Sequence, residues 1–228
     1  MDTTQPRHEL KYFIPVAEAP RLRNKLEKVL HRDVHGDAYD AYHIRSLYFD
    51  DAMSSASFDK YSGVKDRAKY RIRMYGLNDR ALYLERKRKI GDLIAKDGQR
   101  ITRRLAEQLM AGDPTGLEKL PDPLFHDMFV QMRLNLLRPV VIVDYHRQAY
   151  THPAEHVRIT FDRDVRSGGS RLDLFDGALP TIPVLEAGSM ILEVKYDRFL
   201  PDFIPPLLSS IPADRSAISK YTMCRCYA

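Results

Sequence analysis

The side chains best suited to chemistry in this 228-residue chain are charged residues that recur at every second position. Arg7, Glu9 and Lys11 alternate with Leu10 and Tyr12, and Arg71 and Arg73 with Tyr70, Ile72 and Met74. Glu85, Lys87 and Lys89 alternate with Leu84, Arg86 and Arg88, while Glu193 and Lys195 stand opposite Leu192, Val194 and Tyr196. Arg147 shares a face with Tyr145, and Arg158 with Thr160 and Asp162. In an extended strand, residues i and i+2 project from one face. On any single strand a solvated outer face is the ordinary explanation, because Lys and Arg are seldom buried. The pattern recurs on about six segments, however, and on most of them a carboxylate stands two or four residues from a basic group. A closed sheet with charges inside and helices packed outside explains that repetition. Such a lumen carries repulsion and desolvation costs when empty. A polyanion with a divalent metal would neutralise it: the basic groups clamp phosphate oxygens, and Glu9, Glu85 and Glu193 offer hard oxygen ligands to Mg²⁺ or Mn²⁺.

The elements that must position these groups follow from periodicity. Strands are predicted over 7–15, 42–49, 69–75, 81–89, 93–101, 139–150, 157–162 and 190–196. The turn Gly76-Leu77-Asn78-Asp79 joins two of them as a hairpin, and Gly91-Asp92 precedes the next. Helices are predicted over 17–31, with Leu22, Leu26, Val29 and Leu30 on one face, and over 102–110 behind Thr102 as cap. A third covers 123–137, with a buried stripe of Phe125, Met128, Phe129, Met132 and Leu136. A short helical stretch follows near 53–61, and the tail reads as two short helices broken around Pro212. No linker or repeat divides residues 1–228, so a single α+β domain is expected, with an antiparallel, closed sheet.

Composition narrows the function. Hydrophobic residues make up 44% and charged residues 29%, which excludes disorder as the main state. The net charge of +5 means little until its distribution is known. Cys224 and Cys226 can make neither a disulfide framework nor a tetrahedral zinc site alone, which points to a reducing compartment. No apolar run is long enough for a membrane span and no secretory leader is visible, so a soluble, cytoplasmic protein is expected. HExxH and Walker A spacings are absent, and Ser167-Gly168-Gly169-Ser170 is a short turn. His126 and His146 read as structural or exposed, and Tyr145 as core in preference to a hydrogen-bonding partner for phosphate.

Several segments together resemble a known family. RHELKYF (7–13), SLYFD (46–50), KYRIRMYG (69–76), LERKRK (84–89), DYHRQAY (144–150), VRITFDRDV (157–165), ILEVKYD (191–197) and SKY (219–221) run in order along the chain. They resemble the VTC (vacuolar transporter chaperone) catalytic domain, the polyphosphate polymerase domain of the CYTH, or triphosphate tunnel metalloenzyme, superfamily. The resemblance implies an antiparallel eight-stranded tunnel. It places Lys11, Arg71, Arg73, Lys87, Arg147 and Arg158 among the side chains that hold a triphosphate or polyphosphate. Lys220 falls where a basic residue of the C-terminal helix covers the tunnel, and Glu193 on the metal-binding glutamate. Arg7 stands at the first position of the superfamily's ExExK opening, which sets the chain apart from the thiamine-triphosphatase and class IV cyclase branches. Ala217 and Ile218 stand where the eukaryotic polymerases carry a further lysine.

These readings define the expectations. Glu193, Lys87 and Arg73 are the expected catalytic residues, with Glu193 the leading metal ligand to Mn²⁺ or Mg²⁺ and Glu85 and Glu9 either further ligands or simply the counter-charge of a lysine two residues away. The expected partners are ATP, polyphosphate or tripolyphosphate, with no nucleic acid and no inferable protein partner. Polyphosphate synthesis from ATP, hydrolysis of tripolyphosphate or a nucleoside triphosphate, and binding without turnover all remain open on the sequence. A nucleic-acid binder would need the basic stretch 65–89 exposed with its tyrosines as platforms. A tunnel would hide it.

Overall fold

A computed structural model describes residues 4–33 and 41–228. The elements in chain order are β1 (Thr4–Pro15), α1 (Ala19–Leu26), β2 (His31–Arg32), β3 (Tyr42–Asp50), α2 (Ser55–Tyr61), β4 (Arg67–Tyr75), β5 (Leu82–Ile90) and β6 (Leu93–Arg100). They continue as α3 (Arg103–Met110), α4 (Pro123–Leu134), β7 (Arg138–His152), β8 (Val157–Ser167), β9 (Ile182–Pro183), β10 (Ser189–Tyr196), α5 (Ile204–Leu208), β11 (Asp214–Arg215) and α6 (Lys220–Arg225).

Eight strands pair in the order β7-β3-β4-β5-β6-β1-β10-β8, and β8 pairs back onto β7. Every neighbouring pair is antiparallel, so the sheet closes into the expected α+β barrel. The two-residue strands β2, β9 and β11 pair with β7, β8 and β1 respectively. They are too short to show any alternation in the sequence.

Closure sorts the two faces of each strand. The outward residues Tyr70, Ile72 and Met74 of β4 and Leu82 and Leu84 of β5 pack under Leu105 and Leu109 of α3 and Leu124, Phe125, Met128 and Met132 of α4. On the other side, Leu192 and Val194 of β10 and Val157, Ile159 and Phe161 of β8 pack with Leu22 and Leu26 of α1 and Ile204 and Leu208 of α5. A third cluster joins Ile44, Tyr48, Tyr145 and Ile191 to Tyr221 and Cys224 of α6. The greasy layers thus lie mainly outside the barrel, and the charged faces are left inside.

Three local details depart from the sequence reading. α1 ends at Leu26 instead of His31; the chain relaxes into turns so that His31 and Arg32 can pair with β7, which buries Leu30 but leaves Val29 partly exposed. α4 ends at Leu134, and Leu136 adopts a φ of +54°, which turns its side chain outward and buries Leu137 instead. β8 runs on to Ser167 through a register shift in its pairing with β7 near Asp164, whose φ is +50°. The two hairpin turns hold, with Gly76 at φ +68° and Gly91 at φ +57°, conformations that a side chain would strain.

Candidate functional site

The barrel encloses a cavity of about 920 Å³. Fourteen Lys and Arg side chains line it against three carboxylates, Glu9, Asp92 and Glu193. Lys11, Arg71, Arg73, Lys87, Arg147, Arg158 and Lys220 all lie on this wall. Register brings them together: Lys11 stands opposite Glu193, Glu9 opposite Lys195, Glu193 opposite Thr160, and Arg147 opposite Asp162. Directly opposed residues project to the same side of an antiparallel pair, so one inward residue commits its partner to the lumen.

Buried acids hold the guanidinium groups in place. Glu85, only 3% exposed and absent from the cavity wall, accepts from Arg71 Nε at 2.7 Å and from Lys96 Nζ at 3.0 Å. Arg73 Nη1 lies 3.7 Å from the same carboxylate. Tyr48 and Tyr145 complete this corner, accepting from Arg71 at 2.7 Å and from Arg73 at 3.3 Å. Tyr145 is therefore both core and cavity wall. On the opposite side, both oxygens of the fully buried Asp162 accept from Arg147, at 2.6 and 2.7 Å, and Lys220 Nζ lies 2.5 Å away. Ser219 caps α6 by accepting from the Thr222 amide at 3.2 Å, and this capped first turn aims Lys220 inward. Arg158 donates to Asp33 at 2.6 Å and to Tyr42 at 2.9 Å.

The third group is a carboxylate pair among lysines. Glu9 accepts from Lys11 at 2.9 Å and from Lys87 through both oxygens, at 2.9 and 2.8 Å. Glu193 lies 2.6 Å from Lys195 and 3.8 Å from Lys11. Burial on its own would raise both carboxyls, but the surrounding lysines hold Glu9 and Glu193 well below the usual carboxylate range. Burial would likewise raise Asp162 and Glu85, yet Arg147 and Lys220 lower the first, and Arg73, Arg71 and Lys96 the second. Burial and the neighbouring Lys11 and Lys195 push the Lys87 ammonium down to about 7, against the pull of Glu9 and Glu193. Lys11 goes the other way, because Glu9 and Glu193 outweigh its burial.

Glu9 and Glu193 fit a divalent cation of the Mg²⁺ or Mn²⁺ kind. Both present hard oxygens, and the Glu193 charge pushes Glu9 upward, as a nearby anion does. No set of three or more His, Cys, Asp or Glu groups among the described residues is arranged around a common point. Glu85 is not brought to this pair: unlike Glu9 and Glu193 it is absent from the cavity wall, and it lies under Arg71, Arg73 and Lys96.

The sequence reading passed over Asp162 as a partner of Arg147, and Lys69 and Lys96 as part of the wall, and it put Lys195 on the charged face with Glu193 without giving it a role at the site. Lys69 donates to Ser219 at 3.2 Å and lies over the Tyr221 ring. The signal was present for Lys69, two residues from the singled-out Arg71. Asp162 needed the register of β7 on β8.

A closed antiparallel barrel with a cationic lumen and helices outside is the CYTH-like triphosphate tunnel fold. The chain belongs to the VTC domain family, whose sequence profile matches residues 6–228. None of the curated proteins compared matches it in sequence. Among solved structures, the adenylyl cyclase candidate HpAC1 from Hippeastrum, described as having a dominant triphosphatase activity, superposes with a TM-score of 0.59 at 15% identity, covering 97% of this chain and 96% of that one. An adenylate cyclase candidate from Vibrio parahaemolyticus gives a TM-score of 0.51 at 12% identity, over 96% and 98% of the two chains. A chain of the Schizosaccharomyces pombe Mediator head module also gives 0.51, at 11% identity, over 93% and 100%. At these identities the likeness is one of fold, and the fold hosts proteins of very different description.

Proposed function

We propose that the protein catalyses metal-dependent phosphoryl transfer on linear triphosphate or polyphosphate substrates, with polyphosphate synthesis from ATP as its reaction. The observation that carries this is the excess of fourteen cations over three carboxylates around one cavity inside the barrel. Such a wall asks for a ligand with many negative charges in a row, and membership of the VTC domain family supports a phosphate chain.

Phosphoryl transfer requires positioning and charge neutralisation more than covalent chemistry. Arg71, Arg73 and Arg147 would grip phosphate oxygens through guanidinium forks already oriented by Glu85 and Asp162. Lys11, Lys87, Arg158 and Lys220 add charge around the chain, and Arg73 and Lys87 would stabilise the phosphoryl group in flight. Glu193 and Glu9 would hold the divalent cation, which supplies polarisation of phosphoryl oxygens when bound. Glu85, whose oxygens are taken, is assigned to holding Arg71 and Arg73. In synthesis, a terminal oxygen of the growing chain forms a new P–O bond to the γ-phosphorus of ATP as the bond to ADP breaks. The contributing residues span β1 to α6, which supports residues 1–228 acting as one domain, and a cytoplasmic location gives access to ATP. Among the described residues, no helix is long and apolar enough to cross a membrane.

Hydrolysis is the second reading, with water replacing the terminal chain oxygen as nucleophile. Two observations favour it: Ala217 and Ile218 line the cavity without adding charge, and HpAC1 is described as a triphosphatase. Incubation of the pure protein with ATP and Mn²⁺, and separately with tripolyphosphate, separates the readings on a gel. Growth of long chains supports synthesis, release of orthophosphate supports hydrolysis, and binding without either product would reduce the protein to a phosphate-chain receptor.

A further inference from the structure

Thr160 is a buried hydroxyl with nothing to bond. It is fully buried, and Oγ1 has no hydrogen-bond partner. It stands between Arg158 and Asp162 on the inward face of β8, directly opposite Glu193 on β10 and Ala149 on β7. A valine would fill nearly the same space without burying an unsatisfied donor, so a hydroxyl here is costly unless another state of the protein uses it. Its neighbours identify that state. Ala149 has no polar side-chain atom to offer. Asp162 is already engaged by Arg147 and Lys220. Glu193 remains, and its carboxylate is turned to Lys195 at 2.6 Å, with Lys11 at 3.8 Å. When phosphate oxygens draw those lysines away, the carboxylate loses the donors that orient it.

We propose that Thr160 is a positioning residue for Glu193, donating its O–H to the Glu193 carboxylate in the cation-loaded, phosphate-loaded protein. The inference rests on the reading of Glu193 as a metal ligand. A carboxylate that ligates a metal binds best when a second hydrogen bond fixes its orientation, and loss of such a partner costs tenfold to a hundredfold in metal affinity. Thr160 supplies that bond from the adjacent strand, on a rung where opposed Cβ atoms lie about 5 Å apart.

The test is Mn²⁺ binding by equilibrium dialysis in the presence of β,γ-imido-ATP, which is not turned over, read as the Mn²⁺ retained by the protein above that held by the nucleotide alone. Thr160→Val should weaken Mn²⁺ binding by on the order of tenfold, and Thr160→Ser should restore it. In a Glu193→Gln background, Thr160→Val should have no further effect, because the hydroxyl acts through that carboxylate. Wild-type affinity in Thr160→Val, together with lost affinity in Glu193→Gln, would overturn the role of Thr160 alone. Unchanged Mn²⁺ binding in Glu193→Gln would overturn the metal assignment itself. If Thr160→Val does not fold, the comparison of Thr160→Ala with Thr160→Ser gives the same reading: equal affinity in the two removes the hydroxyl from the site.

Discussion

Lys87 on β5 donates to both carboxylate oxygens of Glu9 on β1, although β6 lies between the two strands. In a flat sheet two strands apart these groups would be about 10 Å from each other. The curvature of the closed barrel brings them to 2.8 and 2.9 Å across its interior. The same closure crowds Lys11 and Lys195 against Lys87, and this crowding with burial is what pushes its ammonium down to about 7.

A phosphate chain should reverse that shift, and the sign follows directly. An anion favours the protonated lysine, so the pKa in the complex exceeds that of the free protein. The contribution of Lys87 to binding is then complete below about pH 7 and is lost as pH rises through the higher pKa of the complex. Calorimetric affinity for tripolyphosphate, measured without divalent metal from pH 6 to 9, should fall by up to about tenfold per pH unit above neutrality, relative to Lys87→Met. At pH 6, Lys87→Ala should weaken binding by on the order of tenfold. Parallel profiles for wild type and Lys87→Met would show that Lys87 does not titrate against the ligand.

Glu193→Gln keeps the shape of the side chain and removes its charge. Metal-dependent turnover should vanish while the circular dichroism spectrum stays native. Steady-state rates with Mn²⁺ and Mg²⁺ make the check, and wild-type turnover would remove Glu193 from the site.

Asp162 lies beneath Arg147 and Lys220 with no exposed surface. Asp162→Asn leaves two buried cations without a full counter-charge, a loss on the order of 3 kcal/mol or more. Urea unfolding should register it as a lower midpoint at unchanged slope. Tripolyphosphate should restore more stability to this variant than to wild type, because the ligand replaces the missing anion. Equal ligand stabilisation of both proteins would separate Asp162 from the phosphate site.

The carboxylates of Glu9, Glu85, Asp144, Asp162 and Glu193 are all held below their usual range by neighbouring cations. Groups lowered on folding contribute stability above the unfolded-chain value, near 4, and lose it as pH falls through the folded values. The urea midpoint should therefore hold steady from pH 7 to about 5 and drop steeply below about 4. A protein as stable at pH 3 as at pH 7 would mean that these ion pairs add nothing to folding.

Alternation made the inward faces legible before any coordinates. Arg71 and Arg73 are separated from Ile72 and Met74 by strand geometry alone, and only one arrangement buries the second pair under helices. Helix ends were less legible. Leu136 sits at helical spacing, yet the entry into β7 requires a left-handed residue there, a demand of the tertiary path. The same holds for α1, whose last predicted turn is surrendered to the pairing of β2 with β7.

Residue types and their two-residue spacing were enough to say that this chain presents rows of cations interleaved with carboxylates, because side-chain direction in a strand is a local property. Which cation meets which acid was decided only by closure and register. Lys87 reaches Glu9 across an intervening strand, and Glu85 is drawn under Arg71 and Arg73, away from Glu9 and Glu193. Thr160 is left facing Glu193 with its hydroxyl unspent. Those pairings depend on contacts between strands distant in sequence, and a Coulomb interaction is set by distance in space.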